Sequence, residues 1–365
     1  MRVLVVNAGS SSLKLSLLGA EDRLLFSSSL PSSSGQVDEQ ALRAELDRAG
    51  GVDMVGHRIV HGGSEFVEPV LIDELVLSRL RALVDLAPLH QPKSLRALES
   101  VSRVLHGLPQ VGCFDTAFHA HLPAAAFTYA LPPEWRDRWD LRRFGFHGLS
   151  HAYASRRAAE LMQQPLEASR MVICHLGAGA SLAAVEYGVS VDTTMGFTPL
   201  DGLVMATRSG SLDPGLILWL EEHVGIPPAE LAAALEYRSG LLGLAGSADM
   251  QAILAAEENG APDATLAIGV YLHRLRAGIA AMAAAMDGLD AIAFTGGVGE
   301  NAPTIRARAA DGLGFLGVRL DPVLNGRAAL DTEIGIPDAP VRAFVIKARE
   351  DLQIAHDVRR VLTQS

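Results

Sequence analysis

Three short runs of small and polar residues each follow an apolar stretch: Asn7 to Ser12, His175 to Ser181 and Gly296 to Asn301. Small residues let backbone N–H groups close on an anion, and a turn of that kind holds phosphate oxygens. One such turn reads as an ordinary hairpin. Three on one chain, each with polar side chains at the strand end, point to phosphate chemistry. The chain has neither the GxxxxGK(S/T) signature nor a GxGxxG run opening a helix after a strand, so a nucleotide site here is not of the P-loop or Rossmann kind. Two arginines stand isolated among small residues, Arg58 in Gly56 to Gly63 and Arg208 in Ala206 to Gly210. A guanidinium fork suits carboxylate and phosphate oxygens, although either arginine alone reads equally as a salt-bridge residue. His147 lies among aromatic residues and glycines, which fits a core histidine as well as a catalytic one. Asp115 closes an apolar run, a position that favours both catalysis and helix capping in α/β folds.

The elements that must position these residues follow from the hydrophobic pattern. Arg2 to Val6 and Leu13 to Leu18 read as strands around the first turn. Ser27 to Gln36 is serine-rich and reads as a surface loop, and Glu39 to Ala49 has helical spacing. Val52 to Val60 reads as a strand, Leu75 to Leu86 as an amphipathic helix, Pro109 to Phe114 as a strand and His151 to Met162 as a helix. The polar and aromatic stretch Glu134 to Arg143, with Pro132 and Pro133, is the place where one domain gives way to the next. Met171 to Cys174 then repeats the opening theme. Val5-Val6-Asn7-Ala8-Gly9 and Ile173-Cys174-His175-Leu176-Gly177 share one plan, a faint internal repeat. Ala264 to Met286 reads as a long alanine-rich helix, Ala291 to Thr295 and Val341 to Ile346 as strands, and Leu352 to Leu362 as a closing helix. Strands and helices alternate in both halves, so the class is α/β or mixed.

Composition bounds the function. With 365 residues and 49% hydrophobic content the chain can bury more than one core, and two domains are expected. A net charge of −11 argues against nucleic acid or an anionic membrane as partner. Only three of the 31 basic residues are lysines (Lys14, Lys93 and Lys347), so arginines dominate the candidate anion ligands. Cys113 and Cys174 each border an apolar run and read as buried thiols, with no spacing that suggests zinc. The apolar N-terminus stops at Asn7, too short for a signal peptide, and no run is long enough to span a membrane. A cytoplasmic protein is expected.

Taken together, these blocks resemble the acetate kinase family, within the acetate and sugar kinase, Hsp70 and actin superfamily. Asn7-Ala8-Gly9-Ser10-Ser11-Ser12-Leu13-Lys14 looks like its first signature. The blocks around Arg58, Ala87 to His90, Asp115, His147, His175 to Ser181, Met195 to Leu200, Arg208 and Gly296 to Asn301 follow in family order, over nearly the whole chain. The resemblance implies two ribonuclease H-like (actin-like ATPase) domains with an interdomain cleft, at 1–119 plus 352–365 and at 120–351. It implies ATP, Mg²⁺ and a homodimer. Carried onto matching positions, it makes Asn7 and Glu350 metal-placing residues and puts Lys14 near the nucleotide phosphates. Arg58 binds the substrate carboxylate, with Val60, Leu89, Phe146 and Pro199 around its acyl tail. Asp115, His147 and Arg208 are catalytic. His175, Leu176, Gly177, Ala178 and Gly179 cradle phosphate, while Asp249, Met250, Gln251, Gly297, Val298, Gly299, Glu300 and Asn301 surround the adenosine. The implied reaction is transfer of a phosphoryl group from ATP to acetate, with propionate as the alternative acceptor.

Several positions depart from the family pattern. Ala178 stands where asparagine is usual, Ala206 where glycine is, Ser211 where aspartate is and Gln251 where arginine is. Arg349-Glu350-Asp351 replaces an asparagine and two glutamates, and Gln91 to Ser94 is off pattern. Three of these changes touch the nucleotide half. They keep two further readings open, a pyrophosphate-dependent enzyme and a nucleotide-binding homologue without turnover.

Overall fold

The apolar run that opens the chain forms strand β1 (Val3–Ala8), and its first four residues are buried on both faces. Val3 and Val5 pack on one side of the sheet and Leu4 and Val6 on the other, as the two-residue period of a strand requires. This computed structural model describes residues 1–9, 12–32, 35–87 and 90–364. Five strands join β1 in one sheet: β2 (Ser12–Leu18), β3 (Leu24–Pro31), β4 (Met54–Ile59), β5 (Val70–Leu71) and β6 (Gln110–Phe114). Their order is β3-β2-β1-β4-β6-β5, with β1 to β3 antiparallel, β4 and β6 parallel to β1, and β5 an antiparallel edge.

The helices Glu39–Ala49 and Gln91–Val104 cover the Leu4 face, burying Leu42, Leu46, Ala97 and Val101. The C-terminal helix Glu350–Gln364 covers the other face with Ile354, Ala355 and Val358. Fully burying one such branched side chain stabilises by about 1.5–3 kcal/mol. The sheet makes room for this helix at Gly56, where an added Cβ would meet Ile354 at 2.5 Å.

The serine-rich stretch does not begin as a loop. Ser27 to Pro31 belong to β3, paired along its length with β2. Phe26, Ser28 and Leu30 turn inward while Ser27 and Ser29 face solvent. An edge strand with one wet face needs few apolar residues, so serine content was a poor guide to loop here.

A second sheet repeats this plan. It contains β7 (Arg170–Leu176), β8 (Ala180–Glu186), β9 (Val189–Thr193), β10 (Ala291–Thr295), β11 (Thr332–Glu333) and β12 (Arg342–Val345). The order β9-β8-β7-β10-β12-β11 matches the first sheet strand for strand, including which pairs are parallel. The alanine-rich helix Pro262–Ala285 packs on this sheet, burying Ala264, Ala267, Ile268, Tyr271, Leu272, Leu275 and Ile279 at helical spacing.

The third glycine run is not a turn. Gly296–Asn301 forms a short helix directly after β10. Gly296 has φ +77, and a Cβ there would lie 2.8 Å from the Leu176 carbonyl, so the strand-to-helix bend needs glycine. The chain divides into two compact units. One comprises Met1–Ala120, Phe146–Tyr153 and Arg349–Ser365; the other comprises His121–Gly145 and Ala154–Ala348.

Candidate active site

In the first unit a charged cluster forms where the parallel strands end. β4 presents Arg58, β1 presents Asn7, and Asp115 follows β6. Arg58 donates through Nε to Asp115 Oδ1 at 2.9 Å and through Nη2 to Oδ2 at 2.6 Å, a bidentate pair. Its Nη1 donates to Asn7 Oδ1 at 3.2 Å and lies 3.7 Å from Glu350 Oε2. Asn7 Nδ2 in turn donates to Glu350 Oε2 at 3.1 Å. Glu350 is the first residue of the C-terminal helix, where a negative charge is favoured by the helix dipole. One cation thus gathers three oxygen-bearing side chains. Burial alone would lower the Arg58 pKa, but Asp115 and Glu350 outweigh it and hold the guanidinium charged. Burial holds the Asp115 carboxyl above its usual range, and Arg58 offsets only part of that rise.

Backbone geometry sets His147 next to this cluster. Gly148 N–H donates to the Asp115 carbonyl at 2.8 Å, and a Cβ on Gly148 would lie 2.2 Å from that oxygen. His147, one residue earlier, adopts φ +57, a left-handed conformation that costs a non-glycine residue about 1–3 kcal/mol. Phe146 is buried with its ring 5.4 Å from that of His61, edge to face, and its carbonyl lies 3.1 Å from His119 Nε2. Val60 directly follows β4 and is half-buried. Lys14 is exposed on β2, paired in register with Asn7. Leu89 lies outside the described residues.

Two buried histidines support the cluster's strand. His57 on β4 shares a 2.6 Å hydrogen bond with Gln110 on β6, and His61 Nδ1 accepts from Gly63 N–H at 2.8 Å. Burial lowers both pKa values to about 4, so both rings are neutral at neutral pH.

The second unit carries a cavity of about 220 Å³. Eight expected nucleotide residues line it: Gly177, Ala178, Asp249, Met250, Gln251, Gly297, Val298 and Asn301. Asp249 is the N-cap of the helix Met250–Glu258, and its carboxylate accepts from Gln251 N–H at 2.9 Å, which fixes that corner. The hairpin between β7 and β8 closes with Gly177 N–H on the Gly179 carbonyl at 2.9 Å. His175, Leu176, Gly179, Gly299 and Glu300 are not part of the lining. The first three belong to β7 and its hairpin. Glu300 Oε1 instead accepts from Gly296 N–H at 3.2 Å and Ala348 N–H at 2.8 Å.

Arg306 anchors the end of the short helix Gly296–Asn301. It is 1% exposed and donates to the carbonyls of Gly299 and Glu300 at 2.8 and 2.9 Å, and to Asn325 Oδ1 and O at 2.8 Å each. Burial lowers its pKa to about 10, which leaves it charged at neutral pH. Arg208 donates to Glu236 Oε1 at 2.7 Å and to the Pro199 carbonyl at 3.4 Å. Ser211, at a position off the family pattern, donates to Asp201 Oδ1 at 2.6 Å.

Glu236, Arg306 and the cavity residues Ala248, Leu241 and Tyr271 were not legible as site residues. Glu236 and Arg306 sit inside helices, and their partners are distant in sequence. Tyr271 does share a helical stripe with the core, but a stripe position does not distinguish packing from ligand contact.

The sequence model described as the acetokinase family matches residues 35–356. The acetate kinase of Pseudothermotoga lettingae is 40% identical over 395 residues, covering 99% of this chain and 98% of that protein. Among solved structures, the Porphyromonas gingivalis acetate kinase superposes with a TM-score of 0.90 at 35% identity and covers 99% of both chains. A propionate kinase from Francisella tularensis gives a TM-score of 0.90 at 34% identity over 98% of both.

Proposed function

The chain belongs to the acetokinase family, and on that premise we propose that it catalyses reversible transfer of the ATP γ-phosphoryl group to acetate, giving acetyl phosphate and ADP. The observation that carries this reading is the Arg58 cluster, a half-buried fork already aligned on one carboxylate, that of the buried Asp115. A carboxylate is nucleophilic at neutral pH, so the reaction needs no strong base. It needs two mutually repelling anions neutralised and held in line. Arg58 binds the substrate carboxylate, with Asp115 fixing the fork. His147 and Arg208 stabilise charge on the transferring group, Arg208 being steadied by Glu236. Val60, Leu89, Phe146 and Pro199 enclose the short acyl tail. Lys14 and the His175 to Gly179 turn meet the nucleotide phosphates, while Asp249 to Gln251 and Gly297 to Asn301 meet the adenosine.

The donor set fits Mg²⁺. Asn7 and Glu350 offer hard oxygen ligands, and among the described residues no group of three or more acidic, histidine or cysteine side chains forms a closed metal cage. Mg²⁺ commonly takes one or two protein ligands and completes its shell with water and phosphate. Asn7 and Glu350 would hold it, and it would neutralise charge on the phosphate oxygens.

A homodimer is also part of the reading. The helix Pro214–Trp219 and the wider turn Leu220–Val224 that continues it leave Leu216, Leu218, Trp219 and Val224 exposed, an apolar surface that suits a second copy. A cytoplasmic location belongs to the same reading; among the described residues no helix is long and apolar enough to cross a membrane.

The deciding experiment traps acyl phosphate as the hydroxamate, from acetate and from propionate, with Mg·ATP as donor and pyrophosphate in parallel. Product from acetate and ATP is expected, and the ratio of kcat/KM names the preferred acid. Product with pyrophosphate alone would replace the donor. No product from folded protein that still binds nucleotide would overturn the reading.

A further inference from the structure

The cavity of the second unit has few side chains of its own to meet a polar ligand. Ala178 and Ala206 form part of its wall and are joined by a backbone hydrogen bond, Ala206 N–H to the Ala178 carbonyl at 3.1 Å. Neither offers a polar side chain. Asp249 and Asn301 are engaged locally, with Gln251 N–H and the Gly297 carbonyl, and the Gln251 side chain, also in the lining, is exposed to solvent. Tyr271 differs. It lines the same cavity, is 3% exposed, and its buried hydroxyl has no hydrogen-bond partner among the described residues. A buried hydroxyl left unpaired is costly, and phenylalanine would fill the same volume without that cost.

We infer that the Tyr271 hydroxyl is a specificity-determining contact, donating a hydrogen bond to an acceptor on the nucleoside part of the bound nucleotide. The inference rests on the proposed use of ATP and assigns that site a residue of its own. Tyr271 is well placed for such a role. It is carried on the 24-residue helix Pro262–Ala285, on the buried stripe that includes Ala267, Ile268, Leu272 and Leu275. Burial raises its pKa, and nearby Cys174, itself buried on β7 just before the Gly177 turn, adds to the shift. The phenol is therefore a donor throughout the neutral range, never a phenolate. A donor fixed in an apolar wall discriminates between ligands with and without a matching acceptor more sharply than a solvated one, because a mismatch leaves it unpaired.

Tyr271→Phe removes one oxygen and keeps the packing. The thermal midpoint of the ligand-free variant should equal or exceed that of the wild type, because an unpaired polar group has been removed. By calorimetry, the Kd values for adenosine and for ADP should both rise about three- to tenfold. The acetate KM at saturating ATP and inhibition by pyrophosphate should not change. Unaltered adenosine affinity, or a loss confined to pyrophosphate, would overturn the assignment. So would a lowered midpoint with acetate and ADP affected alike, the mark of a structural residue. A wild-type protein that binds neither adenosine nor ADP would sink the nucleotide reading and this inference with it, whereas normal wild-type binding with an indifferent variant removes the Tyr271 role alone.

Discussion

Arg58 is held by three side chains from separate elements, and each hold has a different consequence when it is cut. Arg58→Ala leaves Asp115 buried without its counter-charge, a change that costs about 3–5 kcal/mol in comparable buried pairs. Chemical denaturation should register that loss. Arg58→Lys keeps a charge but not the fork, so it should lose less stability and still raise the KM for the carboxylate. His147→Ala and Arg208→Ala should instead lower kcat, by about 100-fold or more, with smaller changes in KM; wild-type rates in both would refute their roles. The buried histidines predict a pH effect. His57 and His61 have folded pKa values near 4, below the unfolded value near 6.5, so the unfolded chain takes up protons first as pH falls. Their contribution is fully present above about pH 6.5 and is lost as pH drops toward 4, on the order of 2 kcal/mol for each ring by pH 5. Urea midpoints at pH 7 and pH 5 test this, and His57→Asn should flatten the dependence. Residue types and spacing made Arg58, Asp115 and Asn7 visible as candidates. Sequence could not show that the Arg58 fork closes on Asp115, because 57 positions separate them and only the parallel pairing of β4 with β6 brings them together.

At the scale of elements, the strand-to-helix junctions matter most. Gly148 lets the helix Gly148–Met162 start against the Asp115 carbonyl. Gly148→Ala would force a 2.2 Å contact and should cost about 1–3 kcal/mol while displacing His147, so kcat should fall more than the KM for either substrate rises. Arg306 plays the matching part under Gly296–Asn301. Arg306→Met removes the donor from the Gly299 and Glu300 carbonyls and from Asn325 Oδ1 and O, and each buried acceptor left unpaired costs about 1–3 kcal/mol. Its expected signature is a lower thermal midpoint with a raised KM for ATP and an unchanged KM for acetate. The long periodic elements were legible: Glu39–Ala49 and Ala291–Thr295 match their expected limits, and Pro262–Ala285 differs by one or two residues. Two local readings failed for reasons of context. Serines in β3 are tolerated because the strand lies at an edge, and Gly296 to Asn301 coils because glycine at 296 permits the bend. The helix start at Gly148, three residues before the expected His151, was hidden because the buried contact with Asp115 rather than a capping residue sets it.

At the scale of the whole molecule, the faint likeness between Val5 to Gly9 and Ile173 to Gly177 proves to be the trace of a full repeat. The two sheets share strand order and polarity although little sequence signals it, since a strand's place in a sheet asks only for apolar alternation and many residue types supply that. The exposed Leu216, Leu218 and Trp219 give the dimer reading a direct test. Trp219→Glu should shift the species seen by light scattering from dimer toward monomer at micromolar concentration; an unchanged mass would place the interface elsewhere. The last helix closes the first sheet, and this governs how the protein emerges from the ribosome. β1 emerges long before Ile354, Ala355 and Val358, which cover one of its faces. Until then Val3, Val5, Met54 and Val111 stay wet, and Arg58 lacks Glu350. The second unit, whose residues all precede Arg349, completes itself earlier. A nascent chain therefore carries one finished half and one waiting half, and a chain stopped before Glu350 would complete the second unit while leaving the Val3 face of the first sheet uncovered and Arg58 without Glu350.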